Sequence, residues 1–192
     1  YRVLQPMAAM LAGGLCTGGS SPELFGPNLA LRSGADTLVF QRPTSDTNQE
    51  LLEARLCLRG VRKVFEIDDE LSALPLKSAH RAHMPSDMRA RMLRNIALCD
   101  RLVVSTEPLA QRLRQANGDV RVVANRLPPA MWGTAPPERG QRDPARRKPV
   151  VGWAGGVGHQ GDLALITQLV RDTADQIDWV FFGMCPDDIR DH

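Results

Sequence analysis

Short runs of branched and aromatic residues alternate in this chain with longer stretches whose apolar residues recur at helical spacing. Alternation of this kind predicts an α/β protein built on a parallel sheet. Ser86 and Thr106 stand where each can cap a helix. The predicted strands of the first part are 37–40, 63–67, 101–104 and 120–124, and the predicted helices are 48–59, 86–99 and 107–115.

A change in composition separates this part from the rest of the chain. Residues 127–149 contain six prolines and a cluster of basic residues without a hydrophobic period, which predicts a linker. We therefore divide the chain into a domain at 1–126, this linker, and the start of a second domain at 150–192. Because two parallel strands cannot bury both faces of a sheet, either the second domain is incomplete or its strands extend the first sheet. We expect the first, with the chain as part of a longer one. Its predicted elements are a strand at 150–154, a loop at 155–161, a helix at 162–173 and a strand at 179–182.

Composition and charge exclude several classes of protein. Of the 192 residues, 43% are hydrophobic and 24% are charged, which rules out a disordered polymer, a collagen and a coiled coil. The net charge of +2 is too small to attract the phosphate backbone of nucleic acid, and with 5% aromatic residues few side chains could stack on bases. We therefore expect no nucleic acid as a partner. The four cysteines form no CxxC pair, and no apolar run has the length of a membrane helix. We expect a cytoplasmic protein without disulfides or zinc.

The segment VVGWAGGVGHQGD at 150–162 is the strongest local signal for ligand binding. An apolar strand there runs through glycines into a helix, and glycines let the backbone approach a ligand closely. The N–H groups at the start of the following helix suit a phosphate. The candidate phosphate-binding residues are Gly155, Gly156, Gly158 and His159.

Other interpretations of this segment stay open. Residues 156–161 spell GxGxxG, which is typical of dinucleotide-binding oxidoreductases. That interpretation also needs an acidic residue at the end of the next strand, where the sequence has Gly183 and Met184. No Gly-Lys-Ser/Thr follows, so a P-loop is excluded. A glycine-rich turn without a ligand is the third interpretation, and in it His159 only caps the helix.

A second candidate site lies at the acidic segment EIDDE, residues 66–70, which follows a predicted strand. Open α/β sheets bind ligands beyond the carboxyl ends of their strands, where carboxylates can act as a base or bind hydroxyl groups. Asp68 and Asp69 are the candidate catalytic residues, the alternative being solvated turn residues. Arg2 and Arg42 are candidate anion contacts, the alternative for each being an ordinary surface arginine. We expect no metal site, because the segment has no identifiable partner ligand.

The order of several motifs resembles that of known enzymes. Residues 100–106 (DRLVVST), followed by Leu109 and Leu113, resemble the "D-x-hydrophobic-x-x-S…L" segment of GT-B glycosyltransferases. Residues 120–127 resemble their crossing into the second domain, and residues 151–156 (VGWAGG) resemble the first strand and glycine loop of that domain.

Two further segments narrow the resemblance to one group of GT-B enzymes. Residues 64–71 (VFEIDDEL) resemble the "vFEIDDdL" segment of bacterial enzymes similar to glycosyltransferase family 4. The opening residues Tyr1-Arg2-Val3 with Pro6 resemble the "YR…P" segment after those enzymes' first strand. Relative to this pattern, the chain lacks the first strand, the paired glutamates of the second domain and the Arg/Lys pair after the glycine loop.

The resemblance implies two Rossmann-like domains around a cleft. It implies transfer of a sugar from a nucleotide-diphosphate-sugar donor to a glycan or lipid-linked acceptor, with retention, without a metal or other cofactor, in bacterial surface-polysaccharide synthesis. It places Gly155, Gly156, Gly158 and His159 against the donor phosphates. It places Arg2, Arg42 and the two aspartates on the acceptor side of the cleft.

Two alternatives to sugar transfer remain. They are an NAD-dependent oxidoreductase that uses residues 156–161, and a glycosyltransferase-like binding module without activity. The arginines at 89, 91 and 94 indicate the solvated face of their helix, and as an alternative they would allow a peripheral contact with anionic lipid at the inner face of a membrane. We expect this chain alone to be inactive.

Overall fold

A computed structural model describes residues 2–22, 32–44, 58–70, 84–129, 133, 148–185 and 187–190. By their contacts these residues fall into two compact units. The first lies within Tyr1–Ser72 and Ser86–Trp132, and the second within Ala73–Pro85 and Gly133–His192. The boundary at 132/133 falls inside the segment that we interpreted as a linker.

The first unit is built on a four-stranded, fully parallel sheet in the order β1-β2-β3-β4. This confirms the predicted α/β class and is consistent with a Rossmann-like fold. Each strand lies beside the one before it in the chain. The elements are α1 (Leu4–Ala12), β1 (Thr37–Gln41), β2 (Arg62–Ile67), α2 (Met88–Ala97), β3 (Arg101–Val104), α3 (Glu107–Leu113) and β4 (Val120–Val122).

The core of the first unit lies on one face of this sheet. Phe65 and Ile67 of β2 are fully buried there, and side chains of β3, α2 and α3 complete the cluster. Because strand residues alternate between faces, Glu66 points to the opposite face from Phe65 and Ile67. That strand is nevertheless buried along both faces from Lys63 to Ile67. The other principal core residues are Leu38, Phe40, Met92, Ile96, Leu102, Val104, Leu109 and Leu113.

The second unit pairs two parallel strands, β5 (Val150–Gly155) and β6 (Asp178–Gly183). Between them lie a short 3₁₀ turn at Val157–His159 and the helix α4 (Gln160–Thr173), and α5 (Asp187–Arg190) follows β6. Leu163, Val170 and Ile189 form a small buried cluster against the tryptophans of both strands.

The structure corrects several predicted boundaries. The segment 155–161 is not an open loop, because the 3₁₀ turn occupies part of it and α4 begins at Gln160. α2 begins at Met88 after Asp87, so the cap at Ser86 was wrong, whereas Thr106 does accept a hydrogen bond from the Leu109 N–H. The helix α1 was not predicted. Of the predicted helix 48–59, all but 58–59 lies outside the described residues, and those two are not helical.

Candidate functional site

Most of the polar candidates of the first unit lie at one edge of its sheet. The register pairs Gln41 with Glu66, and Ile67 with Val104, so the carboxyl ends of the strands are level. Arg42 follows β1, Asp68 and Asp69 follow β2, and Ser105 follows β3. This edge is where open parallel sheets bind ligands.

Arg2 is held in a buried ion pair at this edge. Its Nε donates to Glu66 Oε1 at 2.6 Å, and both side chains are only 5% exposed. Its Nη1 donates to the Val123 carbonyl at 2.6 Å and to Asn125 Oδ1 at 2.8 Å. Arg2 thus joins the end of β2 to the segment that leaves β4. Two of its nitrogens are committed to the protein, so these contacts favour a positioning role over direct contact with an acceptor.

Glu66 is the first residue of the acidic segment 66–70, but it was not one of the candidate catalytic or binding residues predicted from the sequence. Its second carboxylate oxygen, Oε2, is buried and has no hydrogen-bond partner among the described residues. A sequence signal did exist, because a carboxylate stands between Phe65 and Ile67 inside an apolar strand. A buried charge in such a position needs a partner or a function.

Asp68 lies just beyond β2 and is held through its backbone. Ser105 Oγ donates to the Asp68 carbonyl at 2.6 Å, which fixes the backbone at this point. The carboxylate faces Arg42, whose Nη1 lies 3.6 Å from Asp68 Oδ1, and the two side chains are 14% and 39% exposed. That distance is an ion pair but not a hydrogen bond, and Oδ1 is buried without a donor.

Arg42 itself has a constrained backbone. Its φ of 48° is the one positive value at a described non-glycine residue, and its N–H donates to the Glu66 carbonyl at 3.1 Å. A non-glycine residue in the left-handed region is held there by its surroundings. Asp69, by contrast, is exposed, and Glu70 pairs with Arg112 at 3.8 Å. The structure therefore brings Arg42 and Asp68 together, and Asp69 stays at the surface.

In the second unit, the glycines of the turn have different structural roles. A Cβ at Gly155 would lie 2.5 Å from the Trp153 ring and 3.2 Å from the His159 Cβ, so the packing of this unit already requires a glycine there. Gly183, which pairs with Gly155 across the sheet, has φ +91° and no room for a Cβ beside the Gly155 carbonyl. Close packing at Gly155, and close packing with a positive φ at Gly183, explain these two glycines without a ligand.

Gly156 differs from these two. It has an ordinary extended backbone, with φ −91° and ψ −176°, and a Cβ added to it would meet no atom within 4 Å. Its N–H donates to no backbone carbonyl of the described chain, while its own carbonyl accepts from the His159 N–H at 2.9 Å. Gly158 lies inside the 3₁₀ turn. Neither packing nor backbone strain explains the glycine at 156, and the space beside it is open.

His159 sits immediately before α4 and is turned toward its first residues. Its Nδ1 lies 2.8 Å from Asp162 Oδ2, and the two side chains are 62% and 67% exposed. Asp162 carries negative charge at the positive end of the helix, which stabilises the helix and opposes an incoming anion. The imidazole neighbour offsets part of that opposition when it is protonated.

No family model and no curated protein matches this chain. Across the described ranges, no group of three or more His, Cys, Asp or Glu side chains is arranged to hold a metal ion. Among those same residues, no helix is both long enough and apolar enough to cross a bilayer.

Proposed function

We propose that this chain is part of a GT-B glycosyltransferase similar to family 4. In this proposal the whole protein transfers a sugar from a nucleotide-diphosphate-sugar donor to a hydroxyl of a glycan or lipid-linked acceptor, with retention and without a metal. It acts in the cytoplasm, where the exposed Arg89 and Arg94 of α2 would allow peripheral contact with the membrane, whereas Arg91 is 14% exposed and paired with Asp87. The observation that carries the proposal is the open position at Gly156, between a parallel strand and a helix of 14 residues.

The donor diphosphate would lie at the turn after β5. The absence of a side chain at Gly156 allows a phosphate to approach the backbone, and the N–H groups at the helix start donate to it. The departing nucleoside diphosphate gathers negative charge as the glycosidic bond breaks, so donors fixed in advance stabilise that charge. His159 Nδ1 lies against Asp162, so the ring atom left for a phosphate oxygen is Nε2, which can donate when both ring nitrogens carry a proton.

The acceptor would lie at the carboxyl edge of the first sheet. Asp68 is the best-placed carboxylate there for orienting an acceptor hydroxyl, since its backbone is held by Ser105 and its side chain is mostly buried. Arg42 lies beside it and balances its charge. Arg2 acts through Glu66 and Asn125, whose positions it fixes, so we now assign it to the support of this edge.

Calorimetry of the 192-residue chain with UDP and with NAD tests the donor side. We expect UDP to bind and NAD not to bind. Gly156→Val should lower UDP affinity at least tenfold, because a branched side chain fills the space that the phosphate needs. Gly161→Ala is the matched control, since a Cβ there also meets no atom within 4 Å but the residue lies within α4.

The alternatives give different results in the same experiment. NAD binding that is lost in Gly156→Val would instead favour the dinucleotide-binding oxidoreductase. Binding of UDP by the chain, with no transfer by the full-length protein to any acceptor, would favour the inactive binding module. Equal UDP affinity in the wild type and Gly156→Val would overturn the donor site altogether.

A further inference from the structure

We propose that Glu66 and Asp68 form a subsite for the hydroxyl groups of a neutral sugar at the carboxyl edge of the first sheet. The proposal rests on the proposed function and deepens it, because it assigns the ligand chemistry of the acceptor side. It adds Glu66 to the site and selects a neutral, hydroxyl-rich acceptor over one that binds through its charge.

Two buried acceptor atoms carry this inference. Glu66 Oε2 and Asp68 Oδ1 are both closed to solvent and have no hydrogen-bond donor among the described residues. A buried acceptor without a donor is destabilising, and native proteins contain few of them. Here two such oxygens stand two residues apart at the end of one strand, at the edge where parallel sheets bind ligands.

The charge around these oxygens indicates which donors would fit. Glu66 is neutralised by Arg2 at 2.6 Å, and Asp68 is paired with Arg42 at 3.6 Å. A cation would therefore meet two arginines that repel it, and an anion would meet two carboxylates. A neutral hydroxyl group supplies the missing donor without disturbing either ion pair.

The position of Arg42 provides a route of entry. Its side chain is 39% exposed and, at 3.6 Å, makes no hydrogen bond to Asp68 Oδ1, so it is held less tightly than the Arg2 side chain. In this proposal a sugar hydroxyl takes the place of the Arg42 side chain against Asp68 Oδ1, while Ser105 holds the Asp68 backbone. Glu66, whose partner Arg2 has two further bonds, remains in place as the fixed part of the subsite.

Amide chemical shifts of the ¹⁵N-labelled chain, titrated with methyl α-D-glucopyranoside, methyl α-D-galactopyranoside and methyl α-D-mannopyranoside, test the proposal. At least one glycoside should cause saturable shifts at Glu66, Asp68 and Ser105. The ring without hydroxyls, 2-methoxytetrahydropyran, should cause none. Asp68→Asn and Glu66→Gln should each weaken binding at least fivefold, whereas Glu107→Gln, in an exposed Arg–Glu pair, should not.

Three results would overturn the subsite: no saturable shift with any glycoside, equal shifts with the hydroxyl-free ring, or unchanged affinity in Asp68→Asn. If Glu66→Gln does not fold, Asp68→Asn carries the test alone. Failure here is distinguishable from failure of the proposed function, because UDP binding is read at the amides of 155–160 and sugar binding at those of 66–68 and 105.

Discussion

The carboxyl edge of the first sheet and the glycine turn of the second unit are built in opposite ways. At the first, the Arg2 side chain is buried in an ion pair with Glu66 and also donates to the exposed Asn125. At the second, Gly156 has open space beside it, and His159 and Asp162 are largely exposed. A substitution in a buried cluster lowers the free energy of unfolding, whereas a substitution in an open turn has little effect on it. Stability and binding measurements should therefore separate the two regions.

The largest expected effect is on the buried ion pair. Glu66→Ala leaves the Arg2 guanidinium buried without its carboxylate, which should lower the free energy of unfolding of the first unit by about 3–5 kcal/mol. Glu107→Ala removes the same kind of partner from the exposed pair with Arg114 and should cost less than about 1 kcal/mol.

Urea unfolding followed through separate amide signals of β3 and β5 measures both variants. The loss in Glu66→Ala should appear at β3 and not at β5, because the pair belongs to the first unit. Equal losses in the two variants would show that the Arg2–Glu66 pair contributes no more than a surface contact.

A smaller effect on stability is expected inside the glycine turn. Gly155→Ala places a Cβ 2.5 Å from the Trp153 ring, and overpacking of this kind costs about 1–3 kcal/mol. Gly156→Ala meets open space and should leave the melting temperature of the second unit unchanged. Calorimetric melting of the two single variants compares them directly, and equal melting temperatures would contradict the structural role of Gly155.

Removal of the acidic residue at the start of α4 should improve anion binding. Asp162→Asn takes away a negative charge at the helix N-terminus, a contribution of about 0.3–1 kcal/mol, which corresponds to roughly a two- to fivefold gain in affinity for UDP. The gain should shrink at high salt, since both side chains of the His159–Asp162 pair are exposed. Weaker UDP binding in this variant would place the diphosphate away from the helix start.

The smallest expected effect is on the pH dependence of the protein's stability, through Asp119, which precedes β4. A hydrogen bond from Arg101, with a second from Arg121, lowers the pKa of this exposed carboxyl below its usual 3.8. A lowered pKa in the folded state stabilises the protein above pH 3.8 and loses that contribution as the pH falls through the folded value. Asp119→Asn should therefore be slightly less stable than the wild type at pH 7. The difference should vanish in acid, and a difference that grows in acid would reverse the assigned sign.

The sequence predicted the six described strands and the helices α2, α3 and α4, because hydrophobic periodicity is a local property, but it did not predict α1 or α5. The strand Arg101–Val104 and the cap at Thr106 are found where they were predicted. The partners of Arg2 were not predictable, because they lie 64 and 123 residues away along the chain. The 3₁₀ turn at Val157–His159 was also not predicted, because a segment so rich in glycine indicates an open loop. Likewise, only the packing of Trp153 shows that Gly155 and Gly156 have different roles.

A titration of the ¹⁵N-labelled chain with UDP, followed at the Gly156 amide, tests the donor site most directly. We predict a large, saturable downfield shift of that amide proton as it donates to a phosphate oxygen, and loss of the response in Gly156→Val. An unmoved Gly156 signal at saturating UDP, or the same response in the valine variant, would contradict the assignment of this turn to a sugar-nucleotide donor.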